Sequence, residues 1–296
     1  MLIDLEYKMK TEKIICWWSG GITSAVSCYL SIELFGIENC EFIMIDTMNE
    51  DLDTYRFKAD CEKWYRKKIE VIKSDKYSSI QDVWLKNKSL NVAKGAVCSS
   101  SLKKEVREKW QKNNTWKHQV FGFDTDEINR AKGLKLNHPK TSPIFPLLFF
   151  GLKKKDCIAI IEQQGIEIPN MYKLGFKNNN CFQTGCVQGG IGYWQKMKAE
   201  FPLKFEAMAD MEHKLTELKG VPVTMLKDQG NAAKESGNRL VFLNRNDKYP
   251  SIKTIDDFKK QIVEPLADCN GLCGVNDLEI RSSTEKEINY QTEIEW

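Results

Sequence analysis

Short apolar runs alternate with amphipathic segments over residues 13–164 of the chain. The apolar runs have the length of buried strands, and the longer segments repeat apolar positions at helical spacing. The predicted strands are 13–18, 41–46, 68–73 and 118–123, and the predicted helices are 22–35, 52–66, 78–87, 100–112 and 153–164. This alternation predicts an α/β fold with a doubly wound, mostly parallel Rossmann-like sheet and helices on both faces.

The first predicted strand ends at a glycine turn that leads into a helix. Ser19-Gly20-Gly21 follows the apolar run Ile14–Trp18, and Ile22 begins the helical pattern. Glycine lets the backbone bend tightly against a ligand, and the free amides at the start of a helix attract anions. The hydroxyl groups of Thr23 and Ser24 add side-chain donors, whereas the spacing of a Walker A loop is absent. The turn therefore predicts an anion site that differs from a Walker A loop.

Polar motifs also follow two other predicted strands. Asp46-Thr47-Met48-Asn49-Glu50 ends the second strand, and Gly122–Arg130 follows the fourth. A further motif, Cys98–Lys103, begins the predicted helix 100–112. Ligands of parallel sheets bind beyond the carboxyl ends of the strands. We therefore expect the loops after the first, second and fourth strands to meet at one edge.

In this order the motifs resemble those of the PP-loop adenine-nucleotide alpha hydrolases, which have the HUP fold, and in particular their phosphoadenosine phosphosulfate (PAPS) reductase-like family. Ser19–Ser24 resembles the PP-loop, and Asp46–Glu50 resembles the Asp-Thr-Gly-x-Glu strand end. Cys98–Lys103 resembles the Cys-x-x-x-Leu-Lys segment, and Gly122–Arg130 resembles the Gly-x-x-x-Asp-Glu-x-x-Arg loop. The resemblance implies a bound adenine nucleotide, either ATP or a sulfonucleotide such as PAPS or adenosine phosphosulfate (APS).

The resemblance also implies roles for individual residues. Asp46 and Thr47 would face the adenosine, while Lys103 and Arg130 would neutralise phosphate or sulfonate charge. The alternative for Lys103 is an ordinary exposed lysine, and the alternative for Arg130 is an ion pair with Asp126. The full set that would bind the nucleotide is Ser19, Gly20, Gly21, Ile22, Thr23, Ser24, Asp46, Thr47 and Gly122.

A divalent cation such as Mg²⁺ would spread the charge that develops when ATP is cleaved. Many PP-loop enzymes carry aspartate where this chain has Thr23, so the turn lacks that acidic ligand. Asp124, Asp126 or Glu127 could replace it, and Asp126 and Glu127 are the candidate catalytic acids. The alternative is that these acidic residues cap a helix or form ion pairs.

Ten cysteines are the second chemical signal. In an intracellular chain they indicate thiol chemistry or metal ligation before structural disulfides. Turn-forming neighbours should expose the sulfur atoms of Cys98, Cys181, Cys186, Cys269 and Cys273. These five are candidate ligands of a [4Fe-4S] cluster, with zinc and free or redox-cycling thiols as alternatives, and Cys98 is also a catalytic candidate. We expect the other five, in apolar or helical contexts, to be inert core thiols.

The cysteine pattern departs from the resembled family in two places. Relatives that carry a cluster have a Cys-Cys pair and a later Cys-x-x-Cys, whereas this chain has Cys98 alone and four residues between Cys181 and Cys186. Thioredoxin-dependent PAPS reductases resemble one another in a carboxyl-terminal Glu-Cys-Gly-Leu/Ile-His segment. The nearest match here, Asp268–Gly274, lacks the histidine. The sequence therefore leaves the particular reaction open.

The length of 296 residues predicts a nucleotide-binding domain at 1–150, a cysteine-containing helical portion at 151–274 and a charged tail at 275–296. A helical stretch is predicted at 193–218 within the second part. The net charge of +3 does not demand a nucleic-acid partner. No apolar run reaches the roughly 18 residues of a membrane span, and the amino terminus lacks a signal-peptide layout. We expect a cytoplasmic protein without a membrane partner, and the oligomeric state, including a homo-oligomer, stays open.

The main hypothesis from the sequence is an adenine-nucleotide-dependent enzyme. It would either transfer sulfur to an acceptor after adenylylating it, or reduce a sulfonucleotide, with Cys98, Cys181 and Cys186 holding a cluster or carrying sulfur. One alternative is a catalytically silent nucleotide-binding sensor or regulatory subunit, which the missing aspartate at the turn favours. Another is an enzyme that introduces sulfur into tRNA or DNA, for which the basic clusters give weak support.

Overall fold

A five-stranded parallel sheet organises the chain in the computed structural model, which describes residues 13–92, 95–179 and 181–266. In chain order the strands are β1 (Ile14–Trp17), β2 (Cys40–Asp46), β3 (Ile69–Lys73), β4 (Asn91–Val92), β5 (Gly95–Ala96), β6 (His118–Val120), β7 (Pro143–Ile144), β8 (Leu226–Lys227), β9 (Leu240–Phe242) and β10 (Lys253–Thr254). The parallel sheet has the order β3-β2-β1-β6-β7. The antiparallel pair β4-β5 and the small sheet β10-β9-β8 are separate sheets, whose described strands do not pair with the parallel sheet.

Helices cover this sheet and build most of the carboxyl-terminal part. They are α1 (Ile22–Phe35), α2 (Leu52–Tyr65), α3 (Ile80–Asn87), α4 (Glu105–Lys112), α5 (Ile128–Asn137), α6 (Pro146–Phe149), α7 (Lys154–Gln163), α8 (Asn170–Lys173), α9 (Ile191–Glu200), α10 (Pro202–Lys219) and α11 (Asn231–Ser236). A helical turn (Val97–Ser99) and a π-helical segment (Ser100–Lys104) precede α4, and short 3-10 turns lie at Thr125–Glu127, Pro139–Thr141 and Ile255–Asp257. Among the described residues, no helix combines the length and apolar character needed to cross a membrane.

Side chains of β1 alternate between the two faces of the sheet, as the pleat of a strand requires. Cys16 belongs to a core that contains Phe57 of α2, whereas Ile15 belongs to a separate core that contains Phe121 and Leu134 of α5. Helices therefore cover both faces, and the predicted doubly wound α/β sheet is confirmed. The domain boundaries at residues 150 and 274 stay predictions.

The order of the strands reverses beside β1. The chain runs from β1 through β2 to β3 on one side, and β6 and β7 lie on the other side. Ligands of doubly wound folds bind beyond the carboxyl ends of the strands at such a reversal. The loops that leave the sheet at this point are Ser19–Ser24 after β1 and Gly122–Arg130 after β6.

The structure corrects two expectations about helix shape. The predicted helix 100–112 begins with the π-helical turns of Ser100–Lys104. The predicted helical stretch 193–218 consists of two helices, α9 and α10, separated at Phe201. Pro202 causes this break, because proline lacks an N–H and disfavours helical backbone in the preceding residue. The predicted tail 275–296, with Cys269 and Cys273 before it, lies outside the described residues.

A buried carboxylate connects α10 to the region around the carboxyl-terminal sheet. Glu212 is fully buried, and its two oxygens accept the N–H groups of Met225 at 3.0 Å and Leu243 at 2.7 Å. Burial raises the pKa of Glu212 to about 8 from its ordinary value of 4.5, against the opposing effect of the two hydrogen bonds. The folded chain therefore holds a proton on Glu212 over a pH range in which the unfolded chain has released it.

We expect Glu212 to make the free energy of unfolding fall as the pH rises from 4.5 to about 8. The slope is at most about 1.4 kcal/mol per pH unit, because the folded state binds one proton more than the unfolded state. Glu212→Gln should remove this slope and cost about 1–3 kcal/mol, since its amide group would face a backbone donor. Urea unfolding at several pH values measures both effects, and parallel pH profiles of wild type and variant would contradict the expectation.

Candidate active site

The turn after β1 is held in shape by its own side chains. Gly20 has a positive φ of 84°, and a Cβ there would lie 2.7 Å from Cγ2 of Thr54, so the position requires glycine. The Ser24 hydroxyl accepts the N–H of Ser19 at 3.1 Å and donates to the Gly21 carbonyl at 2.8 Å. Amides in the first turn of α1 have no intrahelical acceptor and carry the positive end of the helix dipole. The turn therefore has the construction of an anion site.

Two residues from distant parts of the chain contact this turn, and sequence analysis missed both. The Tyr172 hydroxyl accepts the N–H of Ile22 at 3.4 Å. The side-chain amide of Asn179 donates to the Gly20 carbonyl at 2.9 Å and to the Thr54 hydroxyl at 3.0 Å. The one sequence signal was the Asn-rich stretch that contains Asn179. Tyr172 thus lies at the amide end of α1, and Asn179 connects the turn to α2.

The loop after β6 packs directly on the first turn of α1. A Cβ on Gly122 would lie 2.6 Å from the Cα atom and 2.7 Å from the amide nitrogen of Ser24. Both are backbone atoms, so a side chain at this position would have to displace the helix itself. Gly122 therefore acts by allowing the two loops to approach closely.

Side chains at the end of β2 contact two different regions, and one of these regions contains a cysteine. The Asp46 carboxylate accepts the Tyr55 hydroxyl at 3.0 Å. The buried Thr47 hydroxyl donates to Oε1 of Glu50 at 2.7 Å and lies 3.7 Å from Sγ of Cys181. The adenosine contacts of Asp46 and Thr47 stay predictions. Thr47 joins this loop to the cysteine region, which the sequence did not indicate.

The π-helical segment places Lys103 in the interior of the site. Lys103 is buried, and its Nζ atom lies 3.9 Å from Oε1 of Glu50. Burial raises the pKa of Glu50, and the charge of Lys103 and the hydrogen bond from Thr47 oppose that rise. The alternative of an exposed lysine is wrong for Lys103, although the side chain of Lys104 is half exposed. The structure therefore places Lys103 in the interior beside Glu50, and its contact with a ligand stays a prediction.

A small cleft of about 30 Å³ lies beside the glycine turn. Its walls combine apolar side chains with a hydroxyl and two cations. Sequence analysis missed Arg107, although the spacing of four residues from Lys103 favours a common helix face. The cleft is lined by Trp17, Trp18, Ser19, Ile43, Ile45, Lys103 and Arg107.

Acidic residues of the loop after β6 cap the 3-10 turn Thr125–Glu127 and form ion pairs. Asp124 accepts the N–H of Asp126 at 3.0 Å, and Glu127 completes a capping box with Asp124. Glu127 is also ion-paired with Arg130. The side chain of Asp126 is 72% exposed and lies 3.6 Å from Nζ of Lys153. The ion pair expected between Asp126 and Arg130 is thus made by Glu127, and the catalytic roles of Asp126, Glu127 and Arg130 stay predictions.

Three predicted loop cysteines converge in the interior of the protein. Cys98, Cys181 and Cys186 are 8%, 7% and 5% exposed, and they share one hydrophobic core with Trp84 and Trp194. The expectation that turn-forming neighbours expose these sulfur atoms is wrong, because aromatic side chains pack around the turns. The thiols are therefore shielded from bulk water.

Electrostatic interactions link these thiols to the charged pair in the site. Burial raises the pKa of Cys186, the thiols of Cys181 and Cys98 raise it further, and Lys103 lowers it. Burial also raises the pKa of Cys181 to about 11, with Glu50 adding to the rise and Lys103 opposing it. Cys181 and Cys186 are therefore protonated at neutral pH, and the charge of Lys103 favours their thiolate forms.

The described cysteines alone do not form a metal site. Within residues 13–92, 95–179 and 181–266, no group of three or more His, Cys, Asp or Glu side chains is arranged to hold a metal ion. Cys269 and Cys273 lie outside these ranges, but the Leu266 N–H donates to Oδ1 of Asn178 at 2.7 Å, so the described chain ends beside the loop of Cys181. The ligand set of five cysteines stays a prediction. The other described cysteines are buried: Cys16, Cys28, Cys40, Cys61 and Cys157.

Comparisons with known proteins identify a family and several similar solved structures. The family model described as phosphoadenosine phosphosulfate reductase domain matches residues 13–188. Among solved structures, phosphoadenylyl-sulfate (PAPS) reductase from Candida auris is 14% identical, with a TM-score of 0.45 over 62% of this chain and 87% of that chain. The U34-tRNA thiolase NcsA from Methanococcus maripaludis, with its [4Fe-4S] cluster, is 14% identical, with a TM-score of 0.37 over 78% and 83%. No curated protein sequence matches the chain.

Proposed function

The chain belongs to the phosphoadenosine phosphosulfate reductase domain family, and from this membership we propose that it is an adenine-nucleotide-dependent enzyme of sulfur chemistry. One observation carries the proposal. Lys103 contacts Glu50, Glu50 accepts the Thr47 hydroxyl, and Thr47 contacts Cys181. Since Lys103 also lines the cleft beside the glycine turn, this chain of contacts joins the turn that we propose as the anion site to a group of thiols.

The first reaction that we propose is sulfur transfer through adenylylation. An oxygen of the acceptor attacks the α-phosphorus of ATP and pyrophosphate leaves, after which a sulfur nucleophile displaces AMP from the acceptor. Amides and hydroxyl groups of Ser19–Ser24 would stabilise the charge on the phosphates. Lys103 and Arg130 would neutralise the leaving group, and Asp126 or Glu127 would bind Mg²⁺ if the reaction requires it. Nucleotide binding at Asp46, Thr47 and Gly122 belongs to the same proposal.

The second reaction is reduction of a sulfonucleotide such as PAPS or APS, which the description of the family favours. A thiolate attacks the sulfur atom of the sulfonate, and the adenosine phosphate leaves. A second thiol then attacks the first, so that a disulfide forms and sulfite is released. The sulfonate sulfur is reduced by two electrons, and the two thiols are oxidised. Cys181 and Cys186 are two described thiols whose pKa values the charge of Lys103 lowers.

A [4Fe-4S] cluster or a zinc ion held by Cys98, Cys181, Cys186, Cys269 and Cys273 is a separate part of the proposal. The described thiols do not form such a site by themselves, so neither reaction above includes a step on it. The visible spectrum of anaerobically purified protein, with its iron, sulfide and zinc content, tests the group directly. A colourless, metal-free protein that is active would remove the cluster from the proposal.

Turnover assays distinguish the two reactions. With α-labelled ATP and candidate acceptors, sulfur transfer should release pyrophosphate and AMP. With PAPS or APS and a dithiol, reduction should release sulfite and an adenosine phosphate. Nucleotides that remain intact under all reducing, iron-replete conditions would contradict both.

Replacement of Cys181 tests the thiol part of the proposal. Cys181→Ala should lower the rate of product formation by about 100-fold or more, since the thiol carries the reacting sulfur or resolves the intermediate. Nucleotide affinity should stay within about 3-fold, because Cys181 lies outside the phosphate turn. Cys157→Ala is the matched control, as it removes the same atom from a different buried core. Equal losses in both variants would mean that packing, and not chemistry, explains the effect.

A catalytically silent sensor is the second candidate function. Thr23 stands at the position of the acidic ligand in many PP-loop enzymes, and Glu127 is already ion-paired with Arg130. Both observations favour binding without turnover. Tight nucleotide binding together with no product in the assays above would support the sensor over the enzyme.

A further inference from the structure

Tyr193 contacts both ends of the loop that joins Cys181 to Cys186. At one end, its hydroxyl accepts the N–H of Cys186 at 3.0 Å. At the other end, the centroid of its ring lies 5.9 Å from that of Phe182, the residue after Cys181. Tyr193 is 2% exposed and belongs to the same hydrophobic core as the two thiols. A single buried side chain therefore holds the two cysteine-bearing ends of this loop.

The loop is shaped to admit the Tyr193 ring. A Cβ on Gly189 would lie 2.2 Å from Cδ1 and 2.7 Å from Cγ of Tyr193, so a side chain at this position would displace the ring. The Gly189 N–H donates to the Cys186 carbonyl at 2.9 Å, which closes a turn directly after the thiol. The Tyr193 ring also meets Phe176 edge-on, with centroids 5.4 Å apart. Packing from the loop and from the core therefore fixes the position of the Tyr193 hydroxyl.

The hydroxyl also lies within electrostatic range of both thiols. Burial raises the pKa of Tyr193, and the thiols of Cys186 and Cys181 raise it further. The hydroxyl therefore stays protonated at neutral pH, and one of its lone pairs accepts the buried N–H of Cys186. A buried backbone N–H that loses its acceptor carries a desolvation cost. Without this hydroxyl, the Cys186 end of the loop would rearrange to find another acceptor.

We propose that Tyr193 is a positioning residue for the thiol pair and sets how readily Cys181 and Cys186 form a disulfide. This inference rests on the proposed function, in which these two thiols react with each other. Four residues separate the cysteines, and a free loop of that length samples many distances between the sulfur atoms. Anchoring both ends on one side chain restricts that range, so disulfide formation costs less conformational entropy. Tyr193 itself takes no part in making or breaking a bond.

Equilibration of the protein with glutathione measures this effect without nucleotide. One molecule of glutathione disulfide oxidises the two thiols to one disulfide by two electrons and leaves as two molecules of glutathione. Tyr193→Phe keeps the ring and removes only the hydroxyl. The effective concentration of the thiol pair should fall about 10-fold in this variant, which raises the reduction potential of the disulfide by about 30 mV. Peptide mass spectrometry after acid quenching and alkylation quantifies the disulfide between Cys181 and Cys186.

Control variants separate positioning from a general loss of packing. Tyr65→Phe removes a buried hydroxyl that donates to the Ala25 carbonyl at 2.7 Å in a different core. It should lose a few degrees in thermal unfolding, as Tyr193→Phe does, but keep the disulfide equilibrium within about 2-fold of wild type. Gly189→Ala should shift the equilibrium as Tyr193→Phe does, because it displaces the ring. Gly190→Ala should not, since its added Cβ meets no atom within 4 Å among the described residues.

An unchanged or higher effective concentration in Tyr193→Phe would overturn the assignment, and so would an equal shift in Tyr65→Phe. The assignment also fails if the wild type forms no disulfide between Cys181 and Cys186 at any ratio of glutathione to glutathione disulfide. Failure of the proposed function has a different result. In that case nucleotides stay intact in the turnover assays, while the disulfide still forms and still depends on Tyr193.

Discussion

Replacing Gly122 by alanine should lower nucleotide affinity by about 100-fold, or about 2.7 kcal/mol. The added Cβ would lie 2.6 Å from the Cα atom of Ser24 and 2.7 Å from its amide nitrogen. Because these are backbone atoms of α1, relief of the clash moves the first helical turn, whose amides form the proposed anion site. Overpacking of this kind also costs about 1–3 kcal/mol of stability. Calorimetric affinity for ATP and thermal unfolding measure the two effects.

Gly190→Ala provides the matched control for this prediction. Gly190 has a negative φ of −78°, and a Cβ there would meet no atom within 4 Å among the described residues. The same methyl group should therefore be tolerated at Gly190, with affinity within about 3-fold of wild type. If Gly122→Ala binds nucleotide as well as Gly190→Ala does, the phosphate site does not lie at this turn.

Replacing Lys103 by methionine should lower turnover by about 100-fold or more, because it removes a preorganised charge from a buried site. The change also leaves the Glu50 carboxylate without the cation 3.9 Å from it. The pKa of Glu50, which burial already raises, should rise further. The free energy of unfolding of the variant should therefore fall as the pH rises through the pKa that Glu50 has in the folded state. In this pH range Glu50 becomes charged, and the variant has no lysine to compensate that charge. Turnover and urea unfolding against pH are the measurements.

Two further variants separate the catalytic and structural parts of this effect. Lys104→Met removes the neighbouring lysine, whose side chain is half exposed, and should leave turnover within about 3-fold of wild type. The double variant Lys103→Met with Glu50→Gln removes both charges, so it should regain stability without regaining turnover. Recovery of turnover in the double variant would show that Lys103 serves only to neutralise Glu50.

Local sequence pattern was sufficient for several strands and helices of the amino-terminal half. The helix predicted at 22–35 has the same bounds in the structure, and the strand predicted at 41–46 begins one residue earlier. Such elements depend on apolar spacing among near neighbours, which a sequence displays directly. The glycine turn was visible for the same reason, because Gly20 and Gly21 lie between a strand and a helix that can each be recognised alone.

Contacts between segments that are distant in the sequence could not be predicted from local sequence pattern. Tyr172 meets Ile22 across 150 positions, and Asn179 meets Gly20 across 159. The break at Phe201 could have been predicted, since Pro202 marks it in the sequence. The π-helical segment that contains Lys103 could not have been predicted in this way. A π-turn has no composition of its own, and packing decides where it forms.

The sequence by itself determined the first three strands of the parallel sheet, the helices between them, the glycine turn between β1 and α1, and the family, because each is encoded in residues that are close together in the chain. Tertiary structure alone decided that Cys98, Cys181 and Cys186 are buried together and that Arg107 shares the cleft with Lys103. Burial depends on which side chains from distant parts of the chain pack around a residue, and Trp84 and Trp194 belong to the same hydrophobic core as these thiols. Turn-forming residues bend the backbone, but they do not determine whether the bend faces water or a core.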